Sequence, residues 1–128
     1  MAKAERRNTG SDPFNYSRWD DGKEVFNMEA CCPGCDTHPD EYYKNWPQKI
    51  DDEEVELNHL LQSLTASEEL GLFIETRGHC LYDADRIPEA QIMYAHAYRL
   101  MPAQVRLAHM DVALRAQHRK LKQEVNAE

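Results

Sequence analysis

The sequence predicts an all-α protein, in which a small helical domain at residues 51–128 follows an irregular N-terminal third at residues 1–50. Apolar residues recur at helical spacing from residue 55 to residue 121, and no alternating pattern typical of strands stands out. The segment 23–50 contains three prolines and one glycine, which rule out a long helix across it. A chain of 128 residues has room for one domain and a small satellite element.

Helix start and stop signals divide the C-terminal part into four predicted helices. Asp51 can cap the first helix, and Pro88 fits the first turn of the third, since proline is tolerated there. A further short helix over 39–45 is compatible with Pro39 in its first turn. The first helix covers about 51–65, the second ends near Tyr82, the third continues to Met101, and the last runs from Pro102 to about Val125.

The last predicted helix carries one apolar stripe. Leu107, Leu114 and Leu121 follow one another at seven-residue intervals, and polar residues occupy the opposite face. A stripe of this kind packs on the preceding helices. A coiled-coil dimer is the alternative, for which three heptads are the lower limit.

The charge and hydropathy pattern limits the classes of partner. The net charge is −8, and most of it lies in residues 1–64, so that general binding to nucleic acid is disfavoured. No apolar run approaches the roughly 18 residues that a membrane helix needs, and no apolar segment follows the charged N-terminus as a secretory signal requires. We therefore expect a cytoplasmic protein without a membrane partner, in which the four cysteines are thiols or metal ligands rather than disulfides.

Small and large apolar residues are distributed between residues 78 and 102 as two closely packed helices require. Gly78, Ala90 and Ala97 supply small contacts, and Leu81 and Tyr94 are among the residues that fill the gaps between the helices. Together with the proline that ends the second helix, this spacing resembles a single tetratricopeptide (TPR) repeat at about residues 71–104. The sequence departs from the TPR pattern at residue 77, where arginine replaces a large apolar residue, and at residue 85, where aspartate replaces the common glycine of the turn.

The TPR resemblance implies a helix–turn–helix unit that binds another protein. In that family the first helix lines a concave groove, and the matching positions here are Leu72, Glu75, His79 and Tyr82. They suit an apolar or basic partner segment and do not match the residues that grip a carboxylate. Since three or more repeats are normally needed for a stable solenoid, the flanking helices would have to cap this one.

A cysteine-rich turn at residues 31–35, CCPGC, is the main candidate metal site. Cys32 and Cys35 form a CxxC that can hold two thiolates at the spacing of tetrahedral zinc, with His38 as a third ligand and Cys80 or His79 as a fourth. Plain thiols and a redox pair are the alternatives, although no βαβ pattern supports a thioredoxin-like site. By itself, Cys80 is typical of a buried core residue.

Catalytic signatures are missing from the sequence. It contains no Gly-rich phosphate loop, HExxH, GxSxG or kinase motif, and His59, His96, His109 and His118 do not converge on one face with a nucleophile. We therefore expect an interaction module rather than an enzyme: an adaptor, an assembly factor or a subunit of a larger assembly, which needs no cofactor. The alternative is a small zinc-binding or thiol-redox protein that uses the CCPGC turn.

Overall fold

The computed structural model describes residues 3–7, 16–29, 36–46 and 48–127. The chain divides into two compact units, Met1–Thr65 and Ala66–Glu128. Helices form most of the described chain, in broad agreement with the predicted fold class. The agreement fails in the N-terminal unit, where strands replace the predicted irregular segment.

Four strands of the described chain form an antiparallel sheet in the N-terminal unit, in the order of the sequence. They are Lys3–Arg6 (β1), Tyr16–Asp20 (β2), Val25–Glu29 (β3) and Asp36–His38 (β4). The prediction of a purely α-helical protein was therefore wrong for this part of the chain. Each strand has five residues or fewer, which is too short for alternation to stand out in a sequence scan.

The turn between β2 and β3 shows why a hairpin forms here. Gly22 has a φ of +84°, in the left-handed region that glycine adopts without a steric penalty. The Asp21 carboxylate oxygen Oδ1 accepts hydrogen bonds from the backbone N–H groups of Lys23 and Glu24, both at 2.8 Å. Across the hairpin Trp19 lies opposite Phe26, with ring centroids 6.5 Å apart.

The N-terminal unit also contains the helices Asp40–Asn45 (α1) and Asp52–Leu57 (α2). The short helix predicted after Pro39 is confirmed, and so is the Asp51 cap, whose side chain accepts from Glu54 N at 2.8 Å. However, α2 ends well before residue 65. His59 and Leu61 take left-handed φ values of 52° and 61°, and these turn the chain. Leu60 and Leu61 then pack with Tyr43, so α2 belongs to the N-terminal unit.

The second unit consists of three helices, Ala66–Asp83 (α3), Ile87–Leu100 (α4) and Gln104–Ala127 (α5). This confirms the predicted order of helices. The small contacts predicted between α3 and α4 are also buried: Ala90 and Ala97 have no exposed surface, and Gly78 lies against the Tyr94 ring. Around them lies a core of Leu81, Ile87, Ala90, Tyr94 and Ala113. Because any closely packed helical hairpin needs small residues at such positions, the TPR resemblance itself stays a prediction.

The helix α5 is the longest element of this unit and extends beyond α4. It has 24 residues, whereas α4 has 14, and residues 121–127 are all exposed. Lys120 reaches back to the α3–α4 turn, where its ammonium pairs with the Asp85 carboxylate. Asp85 has a φ of +63°, in the left-handed region that glycine adopts most easily. None of the described helices combines the length and the apolar composition that crossing a bilayer requires.

Candidate functional site

A buried carboxylate on α3 is the centre of the main polar cluster in the helical unit. Glu75 is only 6% exposed, and Arg106 in the first turn of α5 is 2% exposed. Arg106 Nη2 donates to Glu75 Oε2 at 2.9 Å, and His109 Nδ1 lies 2.9 Å from Oε1. Residues 106 and 109 are three apart, so both face α3 from one side of α5. The start of α5 is thereby anchored to α3.

His79 extends the cluster by one helical turn. Its Nδ1 lies 2.8 Å from the Tyr94 hydroxyl of α4, and its ring meets the His109 ring edge-on with centroids 4.7 Å apart. One ligand atom from each of Glu75, His79 and His109 lies within 4.8 Å of the others. Three helices therefore bring a carboxylate, two imidazoles and a phenol to one place.

The environment sets the protonation state of each group in the cluster. Burial alone would raise the pKa of Glu75, but the His109 hydrogen bond and the Arg106 charge outweigh it and lower that pKa. Burial and the neighbouring His109 lower the pKa of His79. Burial and the negative charges of Glu75 and Asp83 raise the pKa of Tyr94 to about 12. At neutral pH the carboxylate is therefore ionised, His79 is neutral and the phenol keeps its proton.

These pKa shifts predict that acid destabilises the helical unit in two stages. The unfolded pKa of His79 is 6.5 and its folded pKa is lower, so the unfolded chain takes up the proton first and stability falls as the pH drops below 6.5. Glu75 adds a second loss as the pH drops below its unfolded value of 4.5 towards its lower folded pKa. Urea unfolding followed by helical circular dichroism across this range measures both stages. His79→Gln should remove the first stage, whereas His118→Gln, at an exposed position, should not.

The structure places the predicted groove residues inside the helical unit. Glu75 and His79 contact side chains of α4 and α5, and Tyr82 packs against the apolar core. Leu72 is half-buried. The positions that the TPR resemblance assigns to a partner are therefore largely occupied by the protein's own helices.

The described residues do not test the predicted zinc site. Cys32 and Cys35 lie outside the described ranges, so a zinc or redox function of the CCPGC turn stays a prediction. His38 belongs to the N-terminal unit, where its ring stacks on Tyr42 with centroids 3.9 Å apart. Cys80 belongs to the helical unit and is an exposed free thiol, which corrects the expectation that it is buried in the core.

Sequence reasoning missed Arg106 and His109. It treated His109 as one of several scattered histidines, whereas the structure brings it to Glu75. His109 follows Glu75 by 34 residues, the length of the TPR-like template. However, the template shifted forward does not match the sequence, because it puts Asp111 and Arg115 at buried positions.

A second feature of the helical unit is an apolar groove between α4 and α5, with a volume of about 470 Å³. Ile92 and Leu114 on its walls are 53% and 60% exposed. The exposed Leu107 and Leu121 lie seven residues before and after Leu114 and continue the apolar surface along α5. The groove is lined by Gln91, Ile92, Ala95, Met110, Asp111 and Leu114.

Two exposed basic side chains lie on the two helices that form this groove, outside its lining residues. Arg99 follows Ile92 by two helical turns, and Lys122 follows Leu121 directly; both are exposed, and neither forms an ion pair within the described part of the chain. Asp111 in the groove wall pairs with Arg115 at 2.8 Å, and Glu89 on α4 pairs with Arg86 at 2.8 Å. The groove thus has mostly apolar walls, and Arg99 and Lys122 lie exposed on the same two helices, although the protein as a whole is acidic.

Comparison with known proteins found no family model, no curated protein and no solved structure that matches this chain.

Proposed function

We propose that the helical unit is a protein–protein interaction module that binds an amphipathic helix of a partner in the groove between α4 and α5. The protein would then act as an adaptor, an assembly factor or an accessory subunit. The observation that supports this proposal best is the exposed apolar surface at Ile92 and Leu114, which are 53% and 60% exposed. Contiguous exposed apolar surface of this kind marks interaction sites on soluble proteins.

The shape and charge of the groove indicate the chemistry of the partner. An apolar groove between two helices fits a third helix whose apolar residues recur at i, i+3 or i+4, and i+7. Arg99 and Lys122 favour acidic residues beside that apolar face. The basic partner that the sequence suggested depended on Glu75, whose charge is already balanced by Arg106.

Peptide binding to the full-length protein tests the proposal. The probe is a fluorescent amphipathic peptide of about 18 residues with a leucine face and glutamates beside it, and the comparison peptide has lysines in place of the glutamates. We expect fluorescence anisotropy to show tighter binding of the glutamate peptide. Leu114→Asp should weaken that binding by about tenfold or more, because it places a carboxylate in the apolar groove.

Val112→Asp is the matched control for Leu114→Asp. Val112 is 49% exposed on the same helix, and a separation of two residues directs it away from the groove. Equal loss of binding in both variants, or preference for the lysine peptide, would contradict the proposal.

Sedimentation of the protein alone tests whether a second copy of the chain occupies the groove. If the protein self-associates and Leu114→Asp abolishes this self-association, the occupant of the groove is a second copy of the chain and not the proposed partner helix.

A further inference from the structure

We infer that Glu75, His79 and His109 form a binding site for one divalent transition-metal ion, with zinc as the best match. The site lies between α3 and α5 and shares no residue with the lining of the α4–α5 groove. Its three ligand atoms lie within 4.8 Å of one another. One carboxylate and two imidazoles are a donor set that zinc uses, whereas magnesium prefers oxygen ligands alone.

The outer atoms of two of these ligands are already held by neighbouring side chains, as metal ligands in proteins usually are. Arg106 holds Oε2 of Glu75 at 2.9 Å, which leaves Oε1 directed towards His109. Tyr94 holds Nδ1 of His79 at 2.8 Å. When His79 Nδ1 carries the proton and donates to the phenol oxygen, the lone pair of Nε2 is free to bind the ion.

The protonation states also suit a metal ion, since the ligands must be deprotonated to bind one. The pKa of Glu75 is lowered, mainly because the His109 hydrogen bond and the Arg106 charge outweigh burial. The pKa of His79 is lowered by burial and by the nearby His109. At neutral pH Glu75 is therefore ionised and His79 is neutral, whereas His109 must give up the Nδ1 proton that it donates to Glu75 before Nδ1 can bind the ion.

The ligand atoms must shift to reach the spacing of a tetrahedral zinc site, since the set lies within 4.8 Å rather than at about 3.3 Å. Glu75 Oε1 and His109 Nδ1 are 2.9 Å apart, because a hydrogen bond joins them. Zinc bonds of about 2.0–2.2 Å in a tetrahedral arrangement place ligand atoms about 3.3 Å apart. An ion would therefore replace this hydrogen bond after a shift of a few tenths of an ångström in this pair, and the His109 Nδ1 proton would be released to solvent. Three protein ligands leave the fourth position to water.

The Arg106 guanidinium sets an upper limit to the affinity. It lies 2.9 Å from Glu75 Oε2 and is almost fully buried, so it repels a cation at Oε1. We therefore expect binding that is weaker than at a closed structural zinc site with four protein ligands. Without a metal, the same residues are only an anchor between α3 and α5, and zinc titration distinguishes these two roles.

The experiment uses the full-length protein with Cys31, Cys32, Cys35 and Cys80 replaced by serine, so that no thiolate competes for the ion. Zinc is titrated against a chromophoric chelator at neutral pH, with magnesium as the comparison ion. We expect one zinc ion per chain. His109→Ala removes a ligand and should weaken zinc binding by about tenfold or more. Tyr94→Phe removes the hydrogen-bond partner of the ligand His79 and should weaken zinc binding by about 10- to 100-fold.

Two controls separate a specific site from surface binding and from loss of the fold. His118→Ala removes an exposed histidine of α5 and should leave zinc affinity unchanged. Tyr94→Phe keeps the ring that packs on Gly78, so weaker binding with unchanged helical circular dichroism reports the missing hydroxyl. Failure of the cysteine-free protein to bind zinc would overturn the inference. Zinc binding that is unchanged in both His109→Ala and Tyr94→Phe would also overturn the inference.

Discussion

Replacing Glu75 with glutamine is expected to lower the free energy of unfolding of the helical unit by about 3–5 kcal/mol. The Arg106 guanidinium is 2% exposed and has its Nη2 paired with Glu75, whereas its Nε and Nη1 have no hydrogen-bond partner in the described structure. The substitution therefore leaves a buried positive charge without its counter-charge. Because small domains are stable by only about 5–15 kcal/mol, a loss of this size is readily seen in urea unfolding followed by circular dichroism.

Two further variants show that burial of the pair causes this loss. Asp111→Asn breaks the exposed Asp111–Arg115 pair, whose side chains are 52% and 72% exposed, and should cost no more than about 1 kcal/mol. The double variant Glu75→Leu with Arg106→Met removes both buried charges and should recover most of the lost stability. Equal effects of Glu75→Gln and Asp111→Asn would show that the buried pair does not anchor α5.

Gly78→Ala is expected to destabilise the helical unit by about 1–3 kcal/mol through overpacking, although alanine is the better helix former by about 1 kcal/mol. A methyl group at residue 78 would lie 2.7 Å and 2.8 Å from two carbons of the Tyr94 ring and 3.3 Å from Met93 Cβ. The ring has little room to move, because Tyr94 is 4% exposed and its hydroxyl is bonded to His79. The added methyl group must therefore push α3 and α4 apart.

Gly71→Ala is the matched control on the same helix. Its new methyl group would meet Leu100 Cβ at 3.2 Å and Met101 Cβ at 3.4 Å, which small shifts can accommodate. We expect Gly71→Ala to cost clearly less than Gly78→Ala in the same urea experiment. The reverse order would show that the close approach at Gly78 does not hold the hairpin together.

The helical unit could be predicted from the sequence because its signals are local or regularly spaced. Pro88 lies in the first turn of α4, as expected, and the small residues Ala90 and Ala97 are fully buried. Whether proline or a small residue fits at each of these positions depends only on its own helical turn or on the one helix that packs against it. Periodicity and capping therefore carry enough information to place α3, α4 and α5.

The sheet was not predicted because its stabilising contacts join short segments. Asp21-Gly22 is a hairpin signal, but it stands between strands of five residues each. Tyr16–Asp20 contains three polar or charged residues, which obscures the alternation. The pairing of Trp19 with Phe26 becomes evident only when the register is known.

Two residues of the polar cluster were selected from the sequence, but for a different role, as contacts to a partner. Glu75 and His79 were selected from the sequence as functional residues, and they do lie together on one face of α3. Their partners Arg106 and His109 come from α5, and periodicity within one helix cannot show which face a later helix will cover. This is why residues assigned to a partner protein contact the protein's own last helix.

The most direct test of the groove between α4 and α5 is NMR of the isotope-labelled full-length protein during titration with the glutamate-flanked amphipathic peptide. We predict that the largest chemical-shift changes occur at Ile92, Ala95, Met110 and Leu114, which line the groove. Smaller changes are expected at Arg99 and Lys122, where the acidic flanks would lie. Changes confined to other surfaces, such as the exposed Leu70 and Phe73 of α3, or no change at the highest peptide concentration, would contradict this assignment.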